Sequence, residues 1–101
     1  MLKKIKRLII QGNYIFTHKA ITERIVDNLD QEDILESILN SDSIRSKKST
    51  SQSRKLKNEK IYIIEGFTYD GILIYTKGTI RKIDEKEEFY ILISSKKSVS
   101  S

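Results

Sequence analysis

The chain of 101 residues is long enough for one small hydrophobic core and too short for two. Hydrophobic residues make up 38% and charged residues 33%, which is typical of a folded domain rather than a disordered chain. The absence of cysteine excludes disulfides, thiolate catalysis and zinc–thiolate sites. No apolar run is long enough for a transmembrane helix or a signal peptide, so we expect no membrane association and a cytoplasmic location.

The net charge of +5 is distributed in blocks along the chain. Residues 1–22 carry basic groups and no acids, residues 23–44 are acidic except for Arg24, and residues 45–60 are basic except for Glu59. This alternation predicts a dipolar surface whose basic parts suit phosphate groups or an acidic protein. The richness in Lys, Ile and Asn has a second explanation, since it is also typical of an AT-rich genome.

The N-terminal segment predicts a helix followed by a short extended piece. Apolar residues between Leu2 and Ile9 recur at helical spacing, with basic residues on the other face. Gly12-Asn13 is a helix stop because both residues tolerate the left-handed backbone conformation. Residues 14–17 are too few for periodicity to decide, and we interpret them as a strand or an extended connector.

Two further helices are predicted from their capping residues. Thr17 can cap a helix that runs to about Asn28. The apolar positions of this helix that are expected to face inward are Ala20, Ile21, Ile25 and Leu29. Asp30 can cap a third helix, from Gln31 to about Asn40, whose acidic first turn suits the helix dipole.

Residues 41–58 are rich in serine and lysine and predict a mobile loop, with at most one edge strand near residues 43–46. After this loop, the sequence becomes rich in β-branched and aromatic residues. Residues 60–67 and 72–78 predict two strands joined by an Asp70-Gly71 hairpin turn. A second turn, from Asp84 to Glu88, leads to a strand at residues 89–93 that is apolar on both faces and is therefore expected to be central. Residues 94–101 are expected to be a fraying basic tail.

These elements predict a single α+β domain spanning residues 1–101. It would comprise a helical part at about 1–40, a basic loop at about 41–58 and a β-meander at about 60–95. The helices are expected to pack on one face of a small antiparallel β-sheet.

His18 is the only histidine of the chain and would lie in the first turn of the second helix. A helix N-terminus disfavours positive charge, and an uncharged imidazole there can act as a general base on an RNA 2′-hydroxyl. The alternative is a structural role, in which His18 binds a carbonyl at the strand–helix junction. Arg24 follows about 240° around the helix, so a shared site requires a facing sheet. A single histidine without cysteine argues against a transition-metal site, and we expect no cofactor.

The segment Tyr14-Ile-Phe-Thr-His-Lys-Ala, with Glu23-Arg24 and the acidic helix after Leu29, resembles a bacterial domain-of-unknown-function family. Members of this family carry a Thr/Ser-x-His-Ala element, an arginine in the next helix and then an acidic helix. The family is grouped with RelE/ParE toxin-like proteins, and some members sit beside genes for zinc-finger antitoxins of the MqsA/YgiT type. The resemblance implies a RelE/ParE-like fold and the toxin of a toxin–antitoxin pair, an mRNA-directed ribonuclease with an antitoxin protein as partner.

RelE-type nucleases generally act without metal, through basic and tyrosine side chains around the scissile phosphate. The resemblance therefore implies a metal-independent endoribonuclease in which His18, Arg24 and Tyr75 are the candidate catalytic residues. Family members tend to carry a second histidine after the Asp-Gly turn, where this chain has Tyr75, and a tyrosine replaces it only in part. Residues that would hold the RNA backbone after this strand are Lys77, Arg81 and Lys82. Their alternative role is an ordinary solvated sheet edge, where lysine also discourages edge pairing.

The basic segment from residue 45 to residue 60 is a candidate for contact with RNA, the ribosome or the acidic surface of an antitoxin. Its candidate binding residues are Lys47, Lys48, Arg54 and Lys55. The basic stretch lacks interleaved aromatic residues, so base stacking is not expected there. Charge runs also occur in ordinary solvated loops. The alternative function is a non-catalytic interaction module that binds an acidic protein partner or nucleic acid through this loop.

Overall fold

The computed structural model describes residues 1–48 and 59–98, which form three helices and five strands. The helices are α1 (Leu2–Ile10), α2 (His18–Val26) and α3 (Gln31–Leu39). The strands are β1 (Tyr14–Phe16), β2 (Arg45–Lys48), β3 (Lys60–Phe67), β4 (Leu73–Ile83) and β5 (Glu87–Lys97). The predicted α+β class is confirmed. No helix in these two ranges is long and apolar enough to cross a membrane.

The strands form one sheet in the order β1-β5-β4-β3-β2. Strands β2 to β5 are antiparallel neighbours. Strand β1 instead runs parallel to β5, with Tyr14 opposite Tyr90 and Phe16 opposite Leu92. The sheet is therefore mixed, and the prediction of a purely antiparallel sheet was wrong. A three-residue strand carries no sequence signal for its partner, because parallel pairing depends on residues far away in the chain.

The last two strands are longer than the sequence pattern predicts. Strand β4 continues to Ile83, and residues 94–97 pair with residues 74–77 of β4 as part of β5. The prediction that the chain frays after residue 93 was wrong for residues 94–97. These polar residues are held because they form hydrogen bonds with β4 on one side and with α2 on the other. The edge strand predicted near residues 43–46 is found at β2, opposite β3.

The helix ends follow the predicted capping residues. The Thr17 Oγ1 accepts the backbone N–H of Ala20 at 3.2 Å. Asp30 and Asp33 form a reciprocal capping box, with N–O distances of 2.8 and 3.1 Å. Gly12 has φ +79° and ends α1 in the left-handed conformation that the Gly-Asn pair predicts.

The hydrophobic core lies between the helices and one face of the sheet, as predicted. It is built from buried residues of all three helices, of the connection between α2 and α3, and of β3, β4 and β5, namely Ile5, Leu8, Ile9, Ala20, Leu29, Ile34, Ile38, Tyr62, Ile64, Ile74, Tyr90 and Leu92. Gly66 lets α3 approach β3 closely, because a Cβ there would collide with the backbone carbonyl of Ser37. The prediction that Ile25 faces inward was wrong, since 61% of this residue is exposed.

Candidate functional site

Helix α2 lies beside β5 in the position that a continuation of β1 would occupy. Where β1 ends, the N–H of Thr17 donates to the carbonyl of Leu92 at 3.0 Å. The Thr17 hydroxyl then donates to the carbonyl of Ile93 at 3.3 Å. One turn further, the Ser95 hydroxyl donates to the carbonyl of Ala20 at 2.9 Å. These contacts fix α2 against the edge of the sheet and set the direction of its side chains.

Two carboxylates, one within α2 and one on the residue that ends it, complete the hydrogen bonding of this edge. Glu23 accepts the backbone N–H of Ser95 at 3.1 Å and the hydroxyl of Ser94 at 2.6 Å, both on Oε1. Asp27 accepts the backbone N–H of Lys97 at 2.8 Å. Buried or half-buried backbone donors need partners, and here acidic side chains take the place of strand carbonyls. The side of α2 that faces β5 is therefore lined by carboxylates, while Ala20 is the buried apolar residue of this helix and Ile25 is exposed.

The face of the sheet that points away from the hydrophobic core carries the functional candidates, and we refer to it as the open face. The register of the strands places its residues in rows. Lys77 lies between Ile63 of β3 and Ser94 of β5. In the next row, Tyr75 lies between Glu65 of β3 and Lys96 of β5. None of the described open-face residues belongs to the main core cluster.

The strand register places Lys47 of β2, Lys77 of β4 and Lys96 of β5 on the open face, and the charge of Lys19 of α2 acts on Lys77. We refer to these four residues as the lysine cluster. Partial burial lowers the pKa of Lys77, and the positive charges of Lys19, Lys47 and Lys96 lower it further. Glu23 acts in the opposite direction and raises this pKa. The three neighbouring lysines therefore outweigh Glu23 in their effect on the charge of Lys77.

Tyr75 lies on the open face beside Lys96 of the lysine cluster. The Nζ of Lys96 is 5.6 Å from the centroid of the half-buried Tyr75 ring, which is a cation–π distance. Beside this row, Arg45 and Glu65 form an ion pair at 2.8 Å, and the hydroxyl of Ser98 donates to the second Glu65 oxygen at 2.6 Å. Glu65 is thus engaged by its own partners, Arg45 and Ser98, and Lys96 is the ammonium group next to the Tyr75 ring.

The three candidate catalytic residues are not gathered at one place. His18 is exposed on the first turn of α2, and no described residue bonds its imidazole. Arg24 packs toward the core side, with its guanidinium carbon 5.4 Å from the centroid of the Phe16 ring and its Nη1 donating to the carbonyl of Leu29 at 3.2 Å. Tyr75 lies on the open face. The position of Arg24 therefore fits a structural role at the end of α2.

The candidate phosphate-binding residues also divide into groups. Lys77 and Lys47 belong to the lysine cluster. Arg81 forms two hydrogen bonds to Glu59, at 2.8 and 3.1 Å, and this pairing raises the pKa of Arg81. Lys48 and Lys82 are exposed. They follow Lys47 and Arg81 in their strands and therefore lie on the opposite face of the sheet from these residues. Arg54 and Lys55 lie outside the described residues.

Sequence reasoning missed three members of this arrangement. Lys19 and Glu23 lie four residues apart and so share one side of α2, a spacing that was visible in the sequence. Their proximity to Lys77 was not visible, because it depends on α2 lying beside β5. Lys96 was placed in a fraying tail and not in a strand. Among the described residues, no group of three or more His, Asp or Glu side chains could hold a metal ion.

No family model matches the chain, and neither a curated protein nor a solved structure is similar to it at a significant level. The resemblance to the RelE/ParE-like family remains a prediction from the residues that carry it.

Proposed function

We propose that this protein binds single-stranded RNA through its open face, with the lysine cluster contacting phosphates. The observation that carries this proposal is that the strand register puts Lys47, Lys77 and Lys96 on the same face of the sheet as Tyr75, whose ring centroid lies 5.6 Å from the Nζ of Lys96. An anion placed there would relieve the repulsion among these lysines, which adds to the effect of burial in lowering the pKa of Lys77. Release of counterions from the RNA would add to the free energy of binding.

Tyr75 favours a single strand over a duplex as the ligand. Unpaired bases can stack on an aromatic ring, whereas bases within a duplex present only their edges. The basic segment of residues 45–60 lacks interleaved aromatic side chains, but the tertiary structure brings Lys47 of that segment to the same face as Tyr75. The combination of a stacking ring and surrounding ammonium groups is the arrangement that sequence-tolerant binding of single strands requires.

The binding proposal is tested by fluorescence anisotropy with a labelled single-stranded RNA over a range of salt concentrations. We expect a steep salt dependence, with a slope of log K against log salt of about −3 for four phosphate contacts. Replacing Lys77 with Gln is expected to reduce the steepness by about 0.7 and to weaken binding. The matched control is Lys82→Gln, which removes an exposed lysine outside the cluster. Equal effects of the two substitutions would contradict the proposal.

A second candidate function is the metal-independent ribonuclease of a toxin–antitoxin pair. The observation that favours it is the presence of groups that can exchange protons beside the proposed phosphate site. Tyr75 is a proton donor, and Lys77 is an amine whose uncharged form is favoured relative to an ordinary lysine. The surrounding ammonium groups would stabilise the negative charge that develops on phosphorus. This function also requires an antitoxin partner, for which a neighbouring gene with paired Cys-x-x-Cys motifs is the expected sign.

The nuclease proposal is tested by induced expression followed by primer-extension mapping of transcripts. New cleavage ends and growth arrest are expected for the unchanged protein, and their loss is expected for Tyr75→Phe. His18→Ala reports on the alternative role of His18: lost cleavage with unchanged stability supports catalysis, whereas reduced stability supports a structural role. RNA binding without cleavage or growth arrest would reject the nuclease and retain the binding module.

A further inference from the structure

The open face of the sheet is accessible at one end and covered at the other. Ile61 of β3 and Ile91 of β5 lie on this face and are only 4% and 5% exposed, and Thr79, opposite Ile91 in β4, is also buried. At the other end, next to the turn between β3 and β4, Phe67 is 56% exposed and Tyr75 is half-buried. A ligand that makes apolar contact with the open face therefore meets the end that carries Phe67 and Tyr75.

Phe67 and Tyr75 are cross-strand neighbours on this face. Phe67 lies opposite Leu73 of β4, and Tyr75 follows two positions after Leu73, opposite Glu65. Side chains two positions apart in a strand share a face, and diagonal neighbours in antiparallel strands are about 7–8 Å apart. Two successive nucleotides of an extended strand can span such a distance. We refer to the adjacent side chains of Phe67, Leu73 and Tyr75 as the platform.

The end of β3 that carries Phe67 is fastened to α3. The side-chain amide of Asn40 donates to the carbonyl of Phe67 at 2.9 Å. The backbone N–H of Tyr69 donates to the carboxylate of Glu36 at 3.2 Å. The backbone that carries the Phe67 ring is therefore ordered before a ligand binds, which lowers the entropic cost of binding.

The charges beside the platform favour a ligand that is both flat and anionic. The Nζ of Lys96 is 5.6 Å from the centroid of the Tyr75 ring. Glu65 lies on the other side of Tyr75 in its row, and its charge is compensated by the ion pair with Arg45 at 2.8 Å. Unpaired nucleobases on a phosphate backbone combine the apolar rings and the negative charge that this surface accepts.

We propose that the platform is a subsite for two successive unpaired bases of single-stranded RNA, one stacked on Phe67 and one on Tyr75, with Lys96 binding a phosphate beside them. This inference rests on the proposed RNA-binding function and assigns the bases to one end of the open face. The Lys96 ammonium lies near the Tyr75 ring in the free protein, and its flexible stem lets it move to a phosphate when a base stacks there. Every base has a π-face, so the subsite would accept all four bases.

Fluorescence anisotropy with a labelled single-stranded RNA tests the platform. Phe67→Leu keeps an apolar side chain and removes the ring, and it is expected to weaken binding about five-fold or more, the loss of one stacked base. The matched control is Tyr69→Leu, which removes an 80% exposed ring from the turn between β3 and β4 and is expected to leave the affinity unchanged. Tyr75→Phe keeps its ring and is expected to retain the affinity. Equal effects of Phe67→Leu and Tyr69→Leu would overturn the proposal.

Tryptophan fluorescence gives a direct readout of stacking, because the chain contains no tryptophan. Phe67→Trp places a single indole on the platform, and single-stranded RNA is expected to quench its fluorescence. Tyr69→Trp is the control and is expected to be quenched much less. An oligonucleotide with abasic sites keeps the phosphates and is expected to bind Phe67→Trp more weakly and without quenching. Equal quenching at the two positions, or quenching by the abasic strand, would contradict stacking at Phe67.

The platform and the RNA-binding function can fail separately. Phe67→Leu removes no phosphate contact, so it is expected to weaken binding without changing the salt slope, whereas Lys77→Gln is expected to change the slope. Salt-dependent RNA binding that Phe67→Leu leaves unchanged, with no quenching in Phe67→Trp, would retain the binding function and overturn the platform. Absence of RNA binding by the unchanged protein at low salt would reject the binding function itself.

Discussion

The carboxylate of Glu23 accepts the backbone N–H of Ser95 at 3.1 Å, although the two residues are 72 positions apart in the chain. The same Glu23 oxygen accepts the hydroxyl of Ser94. Through these bonds α2 extends the sheet beyond the end of β1, with a side chain in place of a strand carbonyl. Glu23 also faces Lys77 and influences its pKa, so one residue links the architecture of the edge to the electrostatics of the open face.

The structural part of this role predicts different outcomes for two substitutions. Glu23→Ala leaves the donors of the buried residues Ser94 and Ser95 without their acceptor and is expected to lower the free energy of unfolding by about 1–3 kcal/mol. Glu23→Gln keeps a carbonyl oxygen at the same position, and its free energy of unfolding is expected to decrease less than that of Glu23→Ala. Urea denaturation of both variants measures the difference. Equal losses would show that the charge of Glu23, rather than its hydrogen bonding, stabilises the edge.

The lowered pKa of Lys77 predicts a dependence of stability on pH. In the unfolded chain, Lys77 titrates at its ordinary value, so between the lowered pKa and about 10.5 the unfolded state binds more protons than the folded state. The stability contributed by this residue therefore rises with pH through that window. Lys77→Met is expected to be more stable than the unchanged protein at pH 7 and low salt. Its free energy of unfolding is expected to lack the increase with pH that the titration of Lys77 contributes.

Urea denaturation at pH 7 and pH 10, with and without added salt, measures this effect. Added salt is expected to reduce the advantage of Lys77→Met, because it screens the repulsion among the exposed ammonium groups. Lys82→Met is the matched control and is expected to show no such advantage. A loss of stability in Lys77→Met at low salt would contradict the electrostatic interpretation.

The phenol of Tyr90 is fully buried, and its hydroxyl has no hydrogen-bond partner among the described residues. The ring lies under Gly78, where a Cβ would be 2.5 Å from the Tyr90 Cζ. Burial without a partner costs free energy, so Tyr90→Phe is expected to be as stable as the unchanged protein or more stable, as measured by urea denaturation. Tyr90→Ala is the contrasting variant and is expected to lose about 3–5 kcal/mol through the cavity that it leaves.

Burial also raises the pKa of Tyr90, which predicts behaviour at alkaline pH. Above about pH 10 the unfolded phenol ionises while the folded one does not, so the folded state binds more protons and stability falls as pH rises. Tyr90→Phe is expected to lose less stability in this range. A marked loss of stability in Tyr90→Phe at pH 7 would indicate that the hydroxyl has a partner.

The turn between β4 and β5 contains two non-glycine residues in the left-handed conformation, Asp84 with φ +54° and Glu85 with φ +59°. This conformation strains residues with a Cβ, and aspartate tolerates it better than glutamate. Glu85→Gly is expected to raise the free energy of unfolding by about 1 kcal/mol, and Asp84→Gly to raise it less. Thermal or urea denaturation of the two variants provides the comparison. A loss of stability in Glu85→Gly would mean that its side chain forms a contact that outweighs the strain.

Local chemistry determined much of the helical half of this protein. Thr17 and Asp30 begin their helices because their side chains bind backbone N–H groups only three residues away. The Asp70-Gly71 turn was equally readable, since Gly71 adopts φ +84° as such a turn requires. Signals of this kind lie within a few residues of the structure that they specify, and the sequence alone was sufficient to find them.

The tertiary structure decided everything that depends on distant partners. Residues 94–97 become a strand only because β4 and α2 bind them from both sides, and the direction of β1 depends on β5. The candidate site has the same origin. Lys77 and Lys47 were visible as basic residues, but Lys19, Glu23 and Lys96 join them only through the packing of α2 against β5 and the register of the sheet. Electrostatic interaction depends on distance in space, and the sequence orders residues only along the chain.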